Sequence, residues 1–289
     1  MKYVLYNPLA GQGNAKQQSA VLTEHYGEDI IFQDITAIED YAALLAPLSE
    51  QDAVIICGGD GTLNRFINAT CEIDIKCDVL YFAAGSGNDF LRDIEAKCDD
   101  GPIIINQYIK NLPVAEVKGK KYRFLNNLGF GIDGYCCEVG DKQKAGSTKA
   151  VNYTAIAIKG LLFHYKPTNA TIVVDGKEYK FKKVWLAPAM KGRFYGGGMM
   201  AAPAQDRLDP DGKLSVLVFY GGGRLRTLMA FPSIFKGEHI KHKGMVQIIS
   251  GKEISVTFDS PAAVQIDGET ILDVTSYQAS ACVNAEIKA

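Results

Sequence analysis

Five consecutive residues have the types and spacing of a phosphate-binding turn. The turn consists of Gly58, Gly59, Asp60, Gly61 and Thr62. It follows the apolar run 53–57 and precedes the helical segment 63–67. Glycines let the backbone approach an anion closely, and the amides of a first helical turn point at it without helical partners. The carboxylate of Asp60 would repel phosphate oxygens, so we expect it to act through Mg²⁺, as in phosphoryl transfer. The segment by itself indicates a kinase.

Length, charge and cysteine content limit the classes of protein to consider. With 289 residues, the chain can form two domains that each bury a core. A net charge of -2 and an isoelectric point near 6.1 argue against a general nucleic-acid binder, because such proteins usually carry a basic footprint. The seven cysteines include no CxxC, so neither a disulfide framework nor a zinc site is indicated.

The first third of the chain repeats the order strand, loop, helix. The predicted strands cover 3–6, 30–32, 53–57 and 79–82, and the clearest predicted helix covers 15–26. Alternation of this kind specifies a parallel sheet with helices on its faces, and ligands gather at the carboxyl ends of its strands. We therefore expect the loops after these strands to lie along one edge of the sheet.

From about residue 113 the pattern changes to short strands with hairpin signals. Asp175-Gly176 lies between strand-like runs 171–174 and 178–181, and Asp267-Gly268 lies between 264–266 and 270–272. Further strands are predicted at 184–186, 214–220, 246–249 and 254–258, and helices at 151–163 and 224–235. We expect an α/β domain over residues 1–112 and an antiparallel β-rich domain over 113–277. The local sequence leaves open whether 278–289 complete the first domain.

Four motifs occur in the order seen in the diacylglycerol kinase catalytic family. They are Asn7-Pro8-x-x-Gly11-x-Gly13, Gly58-Gly59-Asp60-Gly61-Thr62-Leu63-Asn64, Gly85-Ser86-Gly87-Asn88-Asp89-Phe90 and Asp267-Gly268-Glu269. The chain resembles the bacterial soluble lipid kinases of that family over nearly its whole length. The resemblance implies a nucleotide-binding α/β domain similar to that of phosphofructokinases and NAD kinases, followed by a β-sandwich-like domain. It also implies ATP-dependent phosphorylation of a lipid hydroxyl, with diacylglycerol favoured.

The same resemblance implies roles for individual residues. It places the ATP phosphates at Gly58, Gly59, Asp60, Gly61, Thr62, Leu63 and Asn64, with Thr36 and Ser86 as further nucleotide contacts. Locally, Thr36 is equally well explained as a helix N-cap, and Asn7 and Asn88 as braces of their loops. The resemblance makes Glu269 the general base that accepts the proton of the lipid hydroxyl, while Asp60 serves Mg²⁺-ATP. Locally, Glu269 is only a strand residue after a hairpin turn.

An acidic turn later in the chain is a second candidate for Mg²⁺. Related bacterial kinases hold a structural Mg²⁺ through one carboxylate and two backbone carbonyls, which here correspond to Asp211, Leu208 and Lys213. Oxygen ligands suit Mg²⁺, and the side chain of Lys213 would have to point away from the ion. Solvated turn aspartates are the alternative explanation of this segment.

A lipid acceptor would bring the protein to a membrane surface. Residues 1–8 turn polar too soon for a signal peptide, and no apolar run approaches the roughly 20 residues of a membrane span. We therefore expect a cytoplasmic protein with peripheral contact at the inner membrane face and no nucleic-acid partner. Two basic groups could meet anionic lipid. They are Lys142, Lys144 and Lys149, and Arg224, Arg226, Lys236, Lys241 and Lys243.

Two other functions stay open on the sequence. An NAD kinase also uses a GGDGT loop, although the additional Asn-Glu pair of such enzymes does not follow it here. A non-catalytic nucleotide-binding regulator with a kinase-like fold is the other alternative, which the intact Asp60 and Glu269 disfavour. The sequence leaves the identity of the lipid and the existence of a homodimer open.

Overall fold

The computed structural model describes residues 1–13, 15–84, 87–97, 101–146 and 151–282. The chain divides into two compact units, Met1–Lys110 and Asn111–Ala289. Ser86, a predicted nucleotide contact, and Lys149, a member of the first basic group, lie outside the described residues.

The first unit is a sheet with short helices in its connections. Its strands are β1 (Lys2–Tyr6), β2 (Ile30–Asp34), β3 (Ala53–Gly58), β4 (Asp78–Ala83) and β5 (Ile103–Ile104). Its helices are α1 (Ala15–Tyr26), α2 (Tyr41–Leu45), α3 (Asp60–Thr70), α4 (Asp89–Asp93) and α5 (Asn106–Ile109), with 3₁₀ turns at Ala10–Gly13 and Ile35–Ala37. The sheet order is β2-β1-β3-β4-β5, and only the pairing of β4 with β5 is antiparallel within the described part.

The central strand of this sheet explains why the unit folds around the glycine turn. Every residue of β3 is buried, as expected for a parallel strand covered on both faces. Helix α3 begins immediately after β3 and buries Leu63, Phe66 and Ile67, which lie at helical spacing. The predicted strands and the predicted helix 15–26 are confirmed.

The second unit is an antiparallel β structure with helices packed against it. Its strands are β6 (Val114–Val117), β7 (Lys120–Arg123), β8 (Asn127–Gly131), β9 (Thr168–Val174), β10 (Lys177–Met190), β11 (Phe194–Tyr195), β12 (Met199–Met200), β13 (Leu214–Tyr220), β14 (Val246–Gly251), β15 (Glu253–Ile266) and β16 (Glu269–Ser280). Its helices are α6 (Ile132–Gly146), α7 (Tyr153–Lys159) and α8 (Arg224–Ala230), with a π turn at Gly160–His164 and 3₁₀ turns at Phe231–Lys236 and Glu238–Lys241.

Two long bulged strands hold the second unit together. The first parts of β10 and β15 pair with β9, whereas their last parts pair with β8. Each long strand therefore joins β9 and β8 into one sheet. The core lies inside this arrangement, where the rings of Phe130 and Phe258 stack with centroids 4.4 Å apart. The predicted combination of an α/β domain and a β-rich domain is confirmed.

Several predicted boundaries were wrong for physical reasons. The runs 178–181 and 184–186 belong to one strand, as do 254–258 and 264–266, because a β-bulge interrupts the alternation in each without ending the strand. Helix α6 was not predicted at all, since its glycines and paired cysteines hid the apolar face formed by Ile132 and Cys136. Residues 278–280, whose domain the sequence left open, lie in β16 and pair with β6 in the second unit.

Candidate active site

Four loops lie at the carboxyl edge of the parallel strands in the first unit. In the register, Tyr6 is opposite Asp34 and Cys57, while Gly58 is opposite Ala83, so the strands end level with one another. The loops that follow them contain the first three sequence motifs and Thr36. The edge predicted from the alternating pattern is therefore present.

The glycine turn leads from β3 directly into α3. Gly59 is the N-cap residue and Asp60 is the first residue of the helix, so the free amides of the first turn lie at this edge. Gly58 must be a glycine because a Cβ there would lie 2.6 Å from Cβ of Thr62. At Gly61 a Cβ would meet no heavy atom within 4 Å. The turn thus combines close packing at Gly58 with open space at Gly61, which suits an incoming anion.

Asp60 connects the glycine turn to the next loop. Its Oδ2 accepts a hydrogen bond from the backbone N–H of Asp89 at 2.7 Å, and its Oδ1 lies 3.4 Å from that of Phe90. These N–H groups belong to the first two residues of α4, so the Asp60 carboxylate caps the N-terminus of α4 from another loop. The sequence predicts only a cation as the partner of this carboxylate, because no local pattern shows that a helix N-terminus faces it.

Asp89 belongs to the third sequence motif, whose spacing alone predicts no role for it. Its side chain is buried, and its Oδ1 pairs with Nη1 of Arg92 at 3.2 Å. The residue before it, Asn88, adopts a left-handed conformation with φ 43°, which Asn tolerates better than most residues. Asp60 and Asp89 therefore bring two carboxylates to the loops at this edge, the oxygen chemistry that Mg²⁺ prefers beside phosphates.

The side chains of Asn7 and Thr36 form hydrogen bonds with other residues of the loops at this edge. Nδ2 of Asn7 donates to Oγ1 of Thr62 at 2.8 Å, and its Oδ1 accepts from the amide of Leu9 at 2.9 Å, so Asn7 braces the first loop against the glycine turn. The hydroxyl and the amide of Thr36 both donate to Oδ1 of Asp34. Asp34, not Thr36, is the helix cap, so the cap explanation of Thr36 was wrong.

Glu269 begins β16 directly after the Asp267-Gly268 turn of the second unit. Asp267 has φ 46° and Gly268 has φ 94°, the positive pair that a tight two-residue hairpin requires. Ile266 and Glu269 are partners in the register, and the side chain of Glu269 is exposed. The hairpin predicted from Asp-Gly is therefore confirmed, and it presents Glu269 to solvent.

The Asp267 carboxylate anchors this turn. It accepts hydrogen bonds from the backbone N–H groups of Leu125, Asn126 and Asn127, the last two at 2.8 and 2.9 Å. Buried Arg207 holds the same segment from its other side, donating to the carbonyl of Leu125 at 2.6 Å and to Oδ1 of Asn126 at 2.7 Å. A carboxylate with several amide donors forms strong, charge-assisted bonds, so the turn is firmly positioned.

A second brace runs through buried side chains. Oε1 of Gln265 accepts from the amide of Gly268 at 2.8 Å, and Nε2 of Gln265 lies 3.4 Å from Oδ2 of Asp133. Burial raises the pKa of Asp133 to about 7, while hydrogen bonds from the Gly134 amide and Gln265 oppose the shift. The side chain of Asp133 is therefore mostly protonated and uncharged below about pH 7, next to the turn that carries Glu269.

The predicted metal ligands of the acidic turn are engaged with protein groups. Oδ2 of Asp211 pairs with Nζ of Lys213 at 2.9 Å, and Oδ1 lies 3.5 Å from Nζ of Lys252. Hydrogen bonding to Lys213 lowers the pKa of the exposed Asp211 carboxylate. The carbonyl of Lys213 accepts from Nε2 of Gln205 at 2.8 Å. The side chain of Lys213 thus points toward Asp211 in the structure, and the Mg²⁺ site at Leu208, Asp211 and Lys213 stays a prediction.

Comparisons with known proteins cover both units. A family model described as "Diacylglycerol kinase catalytic domain" matches residues 2–116. A model described as "YegS C-terminal NAD kinase beta sandwich-like domain" matches residues 126–282, more than half of the chain.

Relatives and a solved structure agree with these models. A protein of Mycobacterium tuberculosis named diacylglycerol kinase is 26% identical over 249 residues, spanning 82% of this chain and 79% of the relative. A Bacillus subtilis protein of the same name is 24% identical over 278 residues, spanning 92% and 88%. A crystal structure of a diacylglycerol kinase from Bacillus anthracis has a TM-score of 0.60 and 18% identity, covering 97% and 94%. At that identity the structural likeness shows the fold alone.

Proposed function

Because the chain belongs to the diacylglycerol kinase family of bacterial lipid kinases, we propose that it transfers the γ-phosphate of ATP to a lipid hydroxyl. Diacylglycerol is the favoured acceptor, which would give the protein a role in phospholipid biosynthesis at the inner face of the membrane. The observation that carries this proposal is the glycine turn of α3, tied by the Asp60 carboxylate to the start of α4 at one sheet edge.

The nucleotide phosphates are proposed to bind at the first turn of α3. Free amides and the positive end of a helix attract an anion, and open space at Gly61 allows the phosphate to approach the backbone. Leu63 and Asn64 are buried in the same helix and fix its position against β3. Thr36, in the 3₁₀ turn that follows β2, and Ser86 are retained as proposed nucleotide contacts.

Asp60 and Asp89 are the residues that would hold Mg²⁺. When bound, Mg²⁺ would neutralise phosphate charge during transfer. The fit rests on two oxygen side chains at one edge, since a nucleotide-bound Mg²⁺ usually takes one or two carboxylates plus phosphate oxygens and water. Asp60 can hold the α4 amides and still accept more, because a carboxylate has about four lone-pair sites.

Glu269 is proposed as the general base. An exposed carboxylate on a braced turn can accept the proton of a lipid hydroxyl as that oxygen attacks the γ-phosphorus. Asp267 and Gln265 would fix the direction of Glu269, since they hold the two residues before it. Positioning matters because phosphoryl transfer depends mainly on alignment and charge neutralisation.

The test is Mg²⁺-dependent transfer from γ-labelled ATP to a panel of micellar lipid alcohols and NAD. We expect transfer to a lipid, its loss in Asp60→Ala, and loss of turnover with retained ATP binding in Glu269→Gln. Glu178→Gln is the matched control, because Glu178 is also an exposed acid shortly after an Asp-Gly hairpin turn. Transfer to NAD alone would replace the proposal with NAD kinase activity. ATP binding without transfer to any acceptor would favour the regulator.

A further inference from the structure

Exposed apolar side chains cluster on two helical elements of the second unit. Phe163, Leu225 and Met229 leave 70%, 67% and 69% of their surface exposed, and Ile158 leaves 44%. Ile158 lies in the last turn of α7 and Phe163 lies in the following π turn, whereas Leu225 and Met229 lie on α8. We call these four residues the apolar face. Several large exposed apolar side chains on neighbouring elements usually mark an interaction surface.

The elements that carry the apolar face are held side by side. Nη1 of Arg224 donates to the carbonyl of Leu161 at 2.8 Å, which joins the start of α8 to the π turn. Helix α8 buries Thr227 and Ala230, so Leu225 and Met229, four residues apart, share the opposite side of the helix. Packing on the core therefore fixes an outward direction for these two side chains.

Basic residues predominate in the segments that carry the apolar face. The segments 151–166 and 221–243 contain seven lysines and arginines but only one acid, Glu238, although the whole chain has a net charge of -2. Arg226 and Lys159 are exposed on α8 and α7, and Lys166 is exposed shortly after the π turn. The surface is thus far more basic than the protein as a whole, and its positive charge alternates with apolar groups.

We propose that the apolar face and its basic surroundings dock the protein on a bilayer that contains anionic phospholipid. Apolar side chains enter the boundary between headgroups and acyl chains, while lysines and arginines contact lipid phosphates. The alternation of charge with apolar groups favours this occupant over a purely apolar protein partner. The proposal rests on the proposed function in one respect, because a lipid kinase must meet its acceptor at a membrane.

A cavity of about 190 Å³ adjoins the segment that follows Phe163. It is lined by Tyr135, Glu138, Tyr165, Lys166 and residues 260–263, among others. Since pockets for drug-sized ligands are about 300–1,000 Å³, this cavity is too small for a whole lipid. Docking would let the acyl chains stay in the bilayer while only the polar end leaves it.

The experiment is co-sedimentation of the full chain with phosphatidylcholine vesicles, with and without phosphatidylglycerol. We expect salt-sensitive binding that depends on phosphatidylglycerol. The double variant Phe163→Ser/Leu225→Ser should bind about tenfold more weakly or worse, because two apolar side chains no longer leave water. Arg226→Gln should weaken binding roughly fivefold. The matched controls are Leu272→Ser and Lys180→Gln, which change an exposed apolar residue and an exposed base on strands.

Activity on a dispersed short-chain lipid alcohol separates this proposal from the proposed function. The double variant should keep that activity and lose activity on vesicles. Equal vesicle binding by the variants and the wild type would overturn the docking surface, whatever the activity. Binding to neutral vesicles as strong as to anionic ones would overturn the electrostatic part. A concentration-dependent dimer that the double variant abolishes, without vesicle binding, would assign the face to a second copy of the chain.

Discussion

Replacing Asp267 by Asn tests whether the anchor of the Glu269 turn is as strong as its geometry indicates. Asn keeps the shape of the side chain and tolerates φ 46°, so the backbone need not change. The substitution puts an amide donor in place of one carboxylate oxygen, which leaves one N–H of residues 125–127 without an acceptor. Leaving one backbone N–H without an acceptor costs about 1–3 kcal/mol. Each of the two remaining hydrogen bonds weakens by about 1 kcal/mol, because its acceptor is no longer charged.

We expect Asp267→Asn to lower the free energy of unfolding by about 3 kcal/mol. The value is at the low end of the sum because Asp267 is only half-buried and solvent screens its exposed side. For a unit of this size that corresponds to about 6–12 °C in Tm. Urea unfolding followed by the fluorescence of Trp185, the single tryptophan, reports on the second unit directly because this side chain is buried there. kcat should fall with little change in ATP affinity.

The matched control for this prediction is Asp175→Asn. Asp175 also precedes a hairpin glycine, with φ 47°, but both amides that it accepts, those of Lys252 and Glu253, bond to the same oxygen, Oδ1. Asn retains that oxygen, so we expect a loss of at most about 1 kcal/mol. Equal effects of the two substitutions, or a change below about 0.5 kcal/mol for Asp267→Asn, would refute the bracing argument.

Two further predictions concern the glycine turn and the buried acid. Gly58→Ala should destabilise the protein by about 1–3 kcal/mol, because the new Cβ meets Thr62, whereas Gly61→Ala should leave stability nearly unchanged and weaken ATP binding in calorimetry, because its Cβ enters the space proposed for the phosphate. Equal losses of stability would contradict the packing. Asp133→Asn should gain stability over wild type as pH rises from about 4 to 7, because the wild-type folded state, with its pKa raised to about 7, binds more protons than the unfolded state there. A difference in urea unfolding that does not change with pH would refute this.

The sequence predicted what depends on neighbouring residues. The Asp-Gly pairs specified both hairpins because a tight turn needs positive φ at two adjacent positions. The glycine turn was placed correctly between β3 and α3, since an apolar run and a helical segment flank it directly. Local patterns also gave the alternation that builds the parallel sheet.

The sequence could not show contacts between distant segments. Asp267 meets the amides of residues 125–127 across about 140 positions of the chain, and Arg207 reaches Leu125 across 82. Such pairs produce no recognisable pattern in the local sequence, because they form only when strands from distant segments become neighbours. The ion pair of Asp211 with Lys252 is of the same kind.

Asp60 shows how a correct electrostatic premise can have two solutions. An acid in a phosphate-binding turn needs a positive partner, and the sequence offered Mg²⁺ as that partner. The structure supplies another, since the amides that begin α4 carry partial positive charge toward the same carboxylate. The two are compatible, because amides and a cation can use different lone pairs of one carboxylate. Under the proposed function, the cap would hold Asp60 in place before nucleotide binds, so that less ordering is needed when Mg²⁺-ATP arrives.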